Sequence, residues 1–201
     1  MTDHQVTADR PDSLMHAAGW DHVTLIGSNA DDTIGFYRDV LGLRLVIRQP
    51  NLDRKEVEHL FFDAGDGRMV TFFVDESRDS VDEQEPGIGA VHHLAFRIEP
   101  DELPAIRDRL HEAGHRVSEF DRGAFHSLYT HDHNGLVIEL AADKYEIPDD
   151  RRAEILARAQ AARVAAGDDY VDSAHLETAL DALGLPVEPN DFPDAATGRD
   201  F

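Results

Sequence analysis

The sequence predicts an α+β fold of two paired βαβββ modules, forming a curved mixed sheet around a cleft, with helices appended at the C-terminus. Three observations predict it. A strand-like segment beginning Trp20-Asp21-His22-Val23-Thr24-Leu25 has a counterpart in Val91-His92-His93-Leu94-Ala95-Phe96. Each is followed by a stretch of helical periodicity closed by a glycine, Gly42 in one and Gly114 in the other. Each copy then ends at a glycine hairpin feeding an apolar strand: Asp66-Gly67 before Met69-Val70-Thr71-Phe72-Phe73, and Asn134-Gly135 before Leu136-Val137-Ile138-Glu139-Leu140. Such a repeat sets equivalent strands across a shared cleft and brings residues distant in sequence together.

In the first module, His22 to Ile26 alternates as a strand, with Val23 and Leu25 on one face and His22, Thr24 and Ile26 on the other. Asn29 or Asp31 can cap the helix that follows, where Ile34, Tyr37, Val40 and Leu41 recur at helical spacing. Gly42 ends it in a left-handed conformation. Leu43 to Ile47, Val57 to Phe62 and Met69 to Val74 read as three strands. The second module repeats the order. A strand over 91–98 precedes a helix over 101–113, and 115–120, 125–130 and 136–141 supply three more strands. Residues 76–89 between the modules are acidic, carry Pro86, Gly87 and Gly89, and read as a linker that lets the second module swing into place.

These patterns divide the chain into an N-terminal tail over 1–18, a two-module domain over 19–145 (modules 19–75 and 90–145) and a C-terminal extension over 146–201. The tail is expected to be mobile. In the extension, Asp149 or Asp150 starts a helix towards Ala166, and Asp172 or Ser173 caps a second one through Leu183, stopped by Gly184. The last stretch, 186–201, has three prolines and no clear element. It is expected to wrap over the domain or over a neighbouring subunit.

Composition sets limits on function. A net charge of -22 argues against nucleic acid and anionic membrane surfaces as partners. Only two of the 19 basic residues are lysines, Lys55 and Lys144. Carboxylate excess with so little lysine resembles proteins of salt-accumulating halophiles. The absence of cysteine excludes disulfides, thiolate metal sites and cysteine nucleophiles. No apolar run approaches the ~20 residues that span a bilayer. The polar start lacks the features of a signal peptide, so a cytoplasmic location is expected.

Strand parity then assigns faces. Leu94, Phe96 and Ile98 belong on a core face together with His92, leaving His93, Ala95 and Arg97 towards the cleft. Leu136, Ile138 and Leu140 go to the core, leaving Val137, Glu139 and Ala141 towards the cleft. A glutamate inside an apolar strand is costly to bury without a partner, and a metal would satisfy it. His22, His93 and Glu139 form a 2-His-1-carboxylate set suited to Fe(II) with open coordination positions; Mn, Ni, Co and Zn are the alternatives. With twelve histidines in the chain, one at a strand start is usually structural or a surface residue. The matched placement of His22 and His93, with Glu139 on the same cleft, argues for a metal.

These motifs resemble the vicinal oxygen chelate superfamily, which includes glyoxalase I, extradiol ring-cleaving dioxygenases, fosfomycin-modifying thiol transferases and bleomycin-binding proteins. The resemblance covers roughly 20–145 and includes Phe36-Tyr37-Arg38-Asp39-Val40-Leu41-Gly42-Leu43, which reports fold more than chemistry. Glyoxalase I enzymes typically have a glutamate where this chain has Thr71, so three protein ligands remain, as in the dioxygenases and the fosfomycin enzymes. Arg122-Gly123-Ala124-Phe125-His126-Ser127-Leu128-Tyr129, followed by Asp132, Gly135 and Glu139, is similar to the last module of hydroquinone-type ring-cleaving dioxygenases. Those enzymes draw their site from the first and last of four modules, and this chain has two. The resemblance implies Tyr129 and Arg122 at the substrate, with His92 and Thr24 beside the ligands. Asp21 stands where that group usually has a histidine, and His133 where a proline is common.

Tyr129, His126 and His92 are the candidates to move protons, although alternation puts His126 on the opposite face. The resemblance implies a small aromatic or oxygen-chelating substrate, O2 as co-substrate and a homodimer. Whether the modules pair within the chain or between two chains stays open. The rival functions are a glyoxalase-type lyase or isomerase, a thiol transferase and a drug-binding protein.

Overall fold

A computed structural model describes residues 6–193 and 195. Residues 1–5 of the expected N-terminal tail and most of 194–201 lie outside the described residues, and residues 6–21 carry no helix or strand. The first module begins with β1 (His22–Gly27), followed by α1 (Ala30–Ile34). The Asn29 side chain accepts from Asp32 N at 2.9 Å, which satisfies one of the free N–H groups of the first turn. The helix continues over Gly35–Val40 with wider π-type turns, so that Leu41 N bonds Phe36 O and the consecutive Phe36 and Tyr37 are both buried. Gly42, at φ +77, turns the chain into β2 (Arg44–Pro50), β3 (Glu58–Asp63) and β4 (Met69–Val74).

The second module runs β5 (His93–Arg97), a 3-10 turn at Pro100–Glu102, α2 (Leu103–Glu112), β6 (Ser118–Asp121), β7 (Phe125–His131) and β8 (Val137–Asp143). The two sheets have the same plan, β1-β4-β3-β2 and β5-β8-β7-β6, each with one parallel pair at the edge and antiparallel pairs beyond it. The expected α+β class and the βαβββ repeat are therefore what the chain adopts. Register makes the repeat exact at the site. Thr24 lies opposite Thr71 in the first sheet, and Ala95 opposite Glu139 in the second, two residues beyond His22 and His93 respectively.

The modules meet through the helix-covered side of the sheets. One apolar core joins Ile34, Tyr37, Phe62 and Phe72 to Leu103, Leu110, Ile138 and Leu140. Polar groups clasp the same junction. Tyr37 OH donates to Asp132 Oδ2 at 2.9 Å, Ser28 Oγ to Asn134 Oδ1 at 2.6 Å, and His133 Nε2 sits 3.1 Å from Thr33 Oγ1. The connecting segment is tied down as well: Gln84 N donates to Gly135 O, and Arg78 donates to the carbonyls of Gly27 and Phe73. What reads in sequence as a swinging linker is thus tied to the first module at Arg78 and to the second at Gln84.

The C-terminal extension forms α3 (Arg152–Ala166) and α4 (Ser173–Asp181) around a second apolar cluster of Tyr145, Ile155, Ala159, Leu176 and Leu180. Asp172 caps α4, with His175 completing a reciprocal capping box. Beyond it the chain returns over its own second module. Asn190 pairs with the Lys144 and Asp143 carbonyls, and Phe192 packs against the main core.

Candidate metal centre

The two sheets leave their cleft-side faces open. On β1 the side chains of His22, Thr24 and Ile26 are exposed while Val23 and Leu25 turn inward, and on β5 His93, Ala95 and Arg97 alternate with Leu94 and Phe96 in the same way. The two histidines are half-exposed, 50% and 38%. Each has its Nδ1 engaged by the residue before it: His22 with Asp21 Oδ1 at 2.6 Å, His93 with His92 Nδ1 at 2.9 Å. Fixing Nδ1 in this way leaves Nε2 as the nitrogen available to a ligand.

Glu139 is the contrasting group. It is only 4% exposed, yet its Oε2 faces His93 Nε2 at 3.1 Å. Its Oε1 accepts from Ser127 Oγ at 2.7 Å and from Tyr129 OH at 2.8 Å. Tyr129 sits directly across from Glu139 in the β7–β8 register. Arg122 lies over the rings of Phe120 (4.6 Å) and Tyr129 (5.2 Å), and its Nε donates to Tyr129 OH at 3.2 Å. Burial, with the hydrogen bond to Glu139 adding to it, pushes the Tyr129 phenol above its ordinary pKa, and Arg122 partly offsets this. Tyr129 is therefore a protonated donor at neutral pH.

The structure brings together His93, Glu139, Tyr129, Arg122 and, beside His93, His92. It holds His22 and Thr24 on the other sheet, where Thr24 Oγ1 accepts from Thr71 Oγ1 at 2.8 Å. Among the described residues, no three His, Asp or Glu side chains of one chain stand together as a metal-binding group. One placement differs from the strand parity and one follows it. His92 precedes β5 and is exposed, because the strand begins at His93 and its alternation does not reach back to the core face. His126 is turned to the other side of β7, fully buried, with Nε2 2.8 Å from Glu119 Oε1 and its ring stacked on Phe192 at 4.8 Å. A group so enclosed is not offered to the cleft.

Ser127 was not singled out by the sequence, since a serine in a strand carries no signal of its own. Its parity with Tyr129, two residues away, was the available clue. His59 is a second such residue. It sits on β3 between the rings of Phe61 (4.0 Å) and Phe73 (4.5 Å), and burial, then the nearby His22, lowers its pKa.

The donor set fits a divalent cation chemically: two imidazoles whose Nδ1 atoms are engaged elsewhere, and a buried carboxylate aimed at the Nε2 of one of them. A single chain presents two of the three donors side by side.

Comparison with known proteins agrees with this architecture. The chain is 29% identical over 145 residues to the Bacillus subtilis (strain 168) protein named ring-cleaving dioxygenase MhqA, a match covering 65% of this chain and 42% of the relative. It is 30% identical over 108 residues to ring-cleaving dioxygenase MhqE of the same organism, covering 52% of this chain and 35% of the relative. The crystal structure of a B. subtilis protein that bears a dioxygenase name superposes with a TM-score of 0.54 at 25% identity, over 64% of this chain and 42% of that one. The matches thus span less than half the length of these relatives. The sequence profile of the Glyoxalase/Bleomycin resistance protein/Dioxygenase superfamily matches residues 19–140, more than half of the chain, and the protein belongs to that superfamily.

Proposed function

We propose that the protein is an Fe(II)-dependent ring-cleaving dioxygenase of the extradiol or hydroquinone type, acting on a small aromatic diol with O2. We further propose that its metal site is shared between two copies of the chain. His93 and Glu139 come from one protomer, and His22 comes from a second copy whose open first sheet faces the open second sheet of its partner. The observation that carries this reading is the buried Glu139 carboxylate. Its Oε1 is held by Ser127 and Tyr129 while Oε2 is presented to His93 Nε2. Glu139 Oε2 and His93 Nε2 stand close enough to offer one cation a carboxylate and an imidazole together, the donor types that a ferrous ion takes. The dioxygenase-named relatives support the same reaction class.

The homodimer has its own support. The inter-module clasp turns the two helix-covered sides inward and leaves both ligand-bearing faces outward. The first-module face also exposes Trp20, Ile26, Val46 and Ile47, an apolar surface suited to burial against a second copy. In a two-fold assembly each protomer would lend His22 to the other, giving two equal sites.

When bound in this set, a ferrous ion retains one positive charge and supplies the electron path between an ionised diol and dioxygen. The chain's own residues do the rest. Tyr129, protonated at neutral pH, donates its phenolic hydrogen to a substrate oxygen that approaches Glu139. Arg122 lies over the ring and holds the hydroxyl in that direction. His92, exposed beside His93, steadies that imidazole through the 2.9 Å contact between their Nδ1 atoms. Thr71, on the first sheet, stands where glyoxalase-type sites carry a fourth ligand carboxylate, which favours a three-ligand site over a glyoxalase-type lyase.

The test is anaerobic purification, iron reconstitution and oxygen uptake with hydroquinones and catechols. Stoichiometric iron and uptake that requires the diol are expected, both lost in His93→Ala. Nickel, cobalt or zinc dependence without oxygen consumption would transfer the protein to the lyase reading.

A further inference from the structure

Ser127 is completely buried on β7 and makes one hydrogen bond of consequence, from Oγ to Glu139 Oε1 at 2.7 Å. Tyr129, two residues further along the same face, donates to that same oxygen at 2.8 Å. The register explains how both reach it: Tyr129 lies opposite Glu139, and Ser127 opposite Ala141, one pleat away. Two donors on one carboxylate oxygen occupy its two lone-pair directions. Oε1 then has no direction left for a cation, and Oε2, 3.1 Å from His93 Nε2, is the oxygen that can ligate.

The geometry points to Ser127 as a positioning residue that holds Glu139 as a single-oxygen ligand and frees Tyr129 for substrate. This rests on the metal-site reading above. The two donors are not equivalent. Tyr129 OH also lies 3.2 Å from Arg122 Nε, and Tyr129 lines a small pocket with Ser118, His131 and Val137, so it can turn its hydrogen to an incoming substrate oxygen. Ser127 is sealed in the sheet and has no such alternative. When Tyr129 redirects its bond, Ser127 alone keeps Oε1 anchored, and the carboxylate does not rotate towards two-oxygen ligation.

The test uses the full-length apoprotein titrated with Co(II), read by visible absorption, which reports both affinity and coordination geometry. Ser127→Ala is expected to bind Co(II) about 10- to 100-fold more weakly, as losses of partners to ligating groups typically do, and with an altered ligand-field spectrum. Its apo form should keep the wild-type fold by circular dichroism. Ser127→Thr, which keeps the hydroxyl, restores both affinity and spectrum. Tyr129→Phe retains the wild-type spectrum because Ser127 still holds Oε1. Wild-type affinity and spectrum in Ser127→Ala, with Glu139→Gln unable to bind, would overturn the positioning role alone. Unchanged binding in Glu139→Gln and His93→Ala as well would remove the metal site on which it rests.

Discussion

Glu139 and His133 are buried or half-buried titratable groups with opposite consequences. The Glu139 carboxylate is supported by two hydroxyl donors and directed at an imidazole, so its burial prepares a site. His133 is part of the inter-module clasp, accepting from Asn134 Nδ2 at 2.9 Å, and desolvation lowers its pKa despite the pull of Asp132 and Asp32. A histidine with a lowered pKa is neutral in the folded state. Its contribution to stability is present above the unfolded value of about 6.5 and is lost as pH falls through the lower folded value. Thermal melts between pH 7.5 and 5 should show a falling midpoint, and His133→Gln should make that fall shallower. An acid slope identical in the variant would assign it to other histidines. At this scale the sequence was informative wherever parity applied. His22 and Glu139 each break an apolar alternation, and the break is visible in the letters. Ser127 breaks nothing, and the exposure of His92 depends on where β5 starts, which a run of apolar residues does not specify.

The hairpin between β7 and β8 carries more than its turn. Gly135 takes φ +75, and a Cβ there would stand 2.7 Å from Glu83 N and 2.8 Å from Val81 O, so the glycine is what lets the connecting segment lie against the second module. Gly42 has a similar φ of +77 but faces open space. Gly42→Ala should therefore cost only the left-handed backbone term, roughly 1–2 kcal/mol. Gly135→Ala adds a backbone collision and should cost clearly more, as urea unfolding of the two variants would show; equal losses would mean that the segment yields freely. The elements themselves were largely legible. Met69–Val74 falls where alternation put it, and the caps at Asn29 and Asp172 are used. Strand ends were less so: β2 runs on to Pro50, because pairing with β3 extends it past its last apolar residue. The π-type turns over Gly35–Val40 have no simple signature, since they arise from packing Phe36 and Tyr37 together inside the core.

For the molecule as a whole, the repeat was visible in the sequence and the way its copies face was not. That choice is made by long-range contacts, Tyr37 with Asp132 and Ser28 with Asn134, roughly a hundred residues apart, which no local pattern encodes. They join the modules through their helix-covered sides, so the proposed ligands of one chain point outward on two separate sheets. If a second copy completes the site, subunit complementation reveals it. His22→Ala and His93→Ala are prepared separately, then unfolded, mixed and refolded together with iron. Each alone should be inactive in diol-dependent oxygen uptake. If sites are shared, a mixed dimer pairs the intact His22 of one protomer with the intact His93 and Glu139 of the other, and random assortment should restore about a quarter of wild-type activity. A mixture as inactive as its parents, while refolded wild type regains full activity, would contradict the shared site.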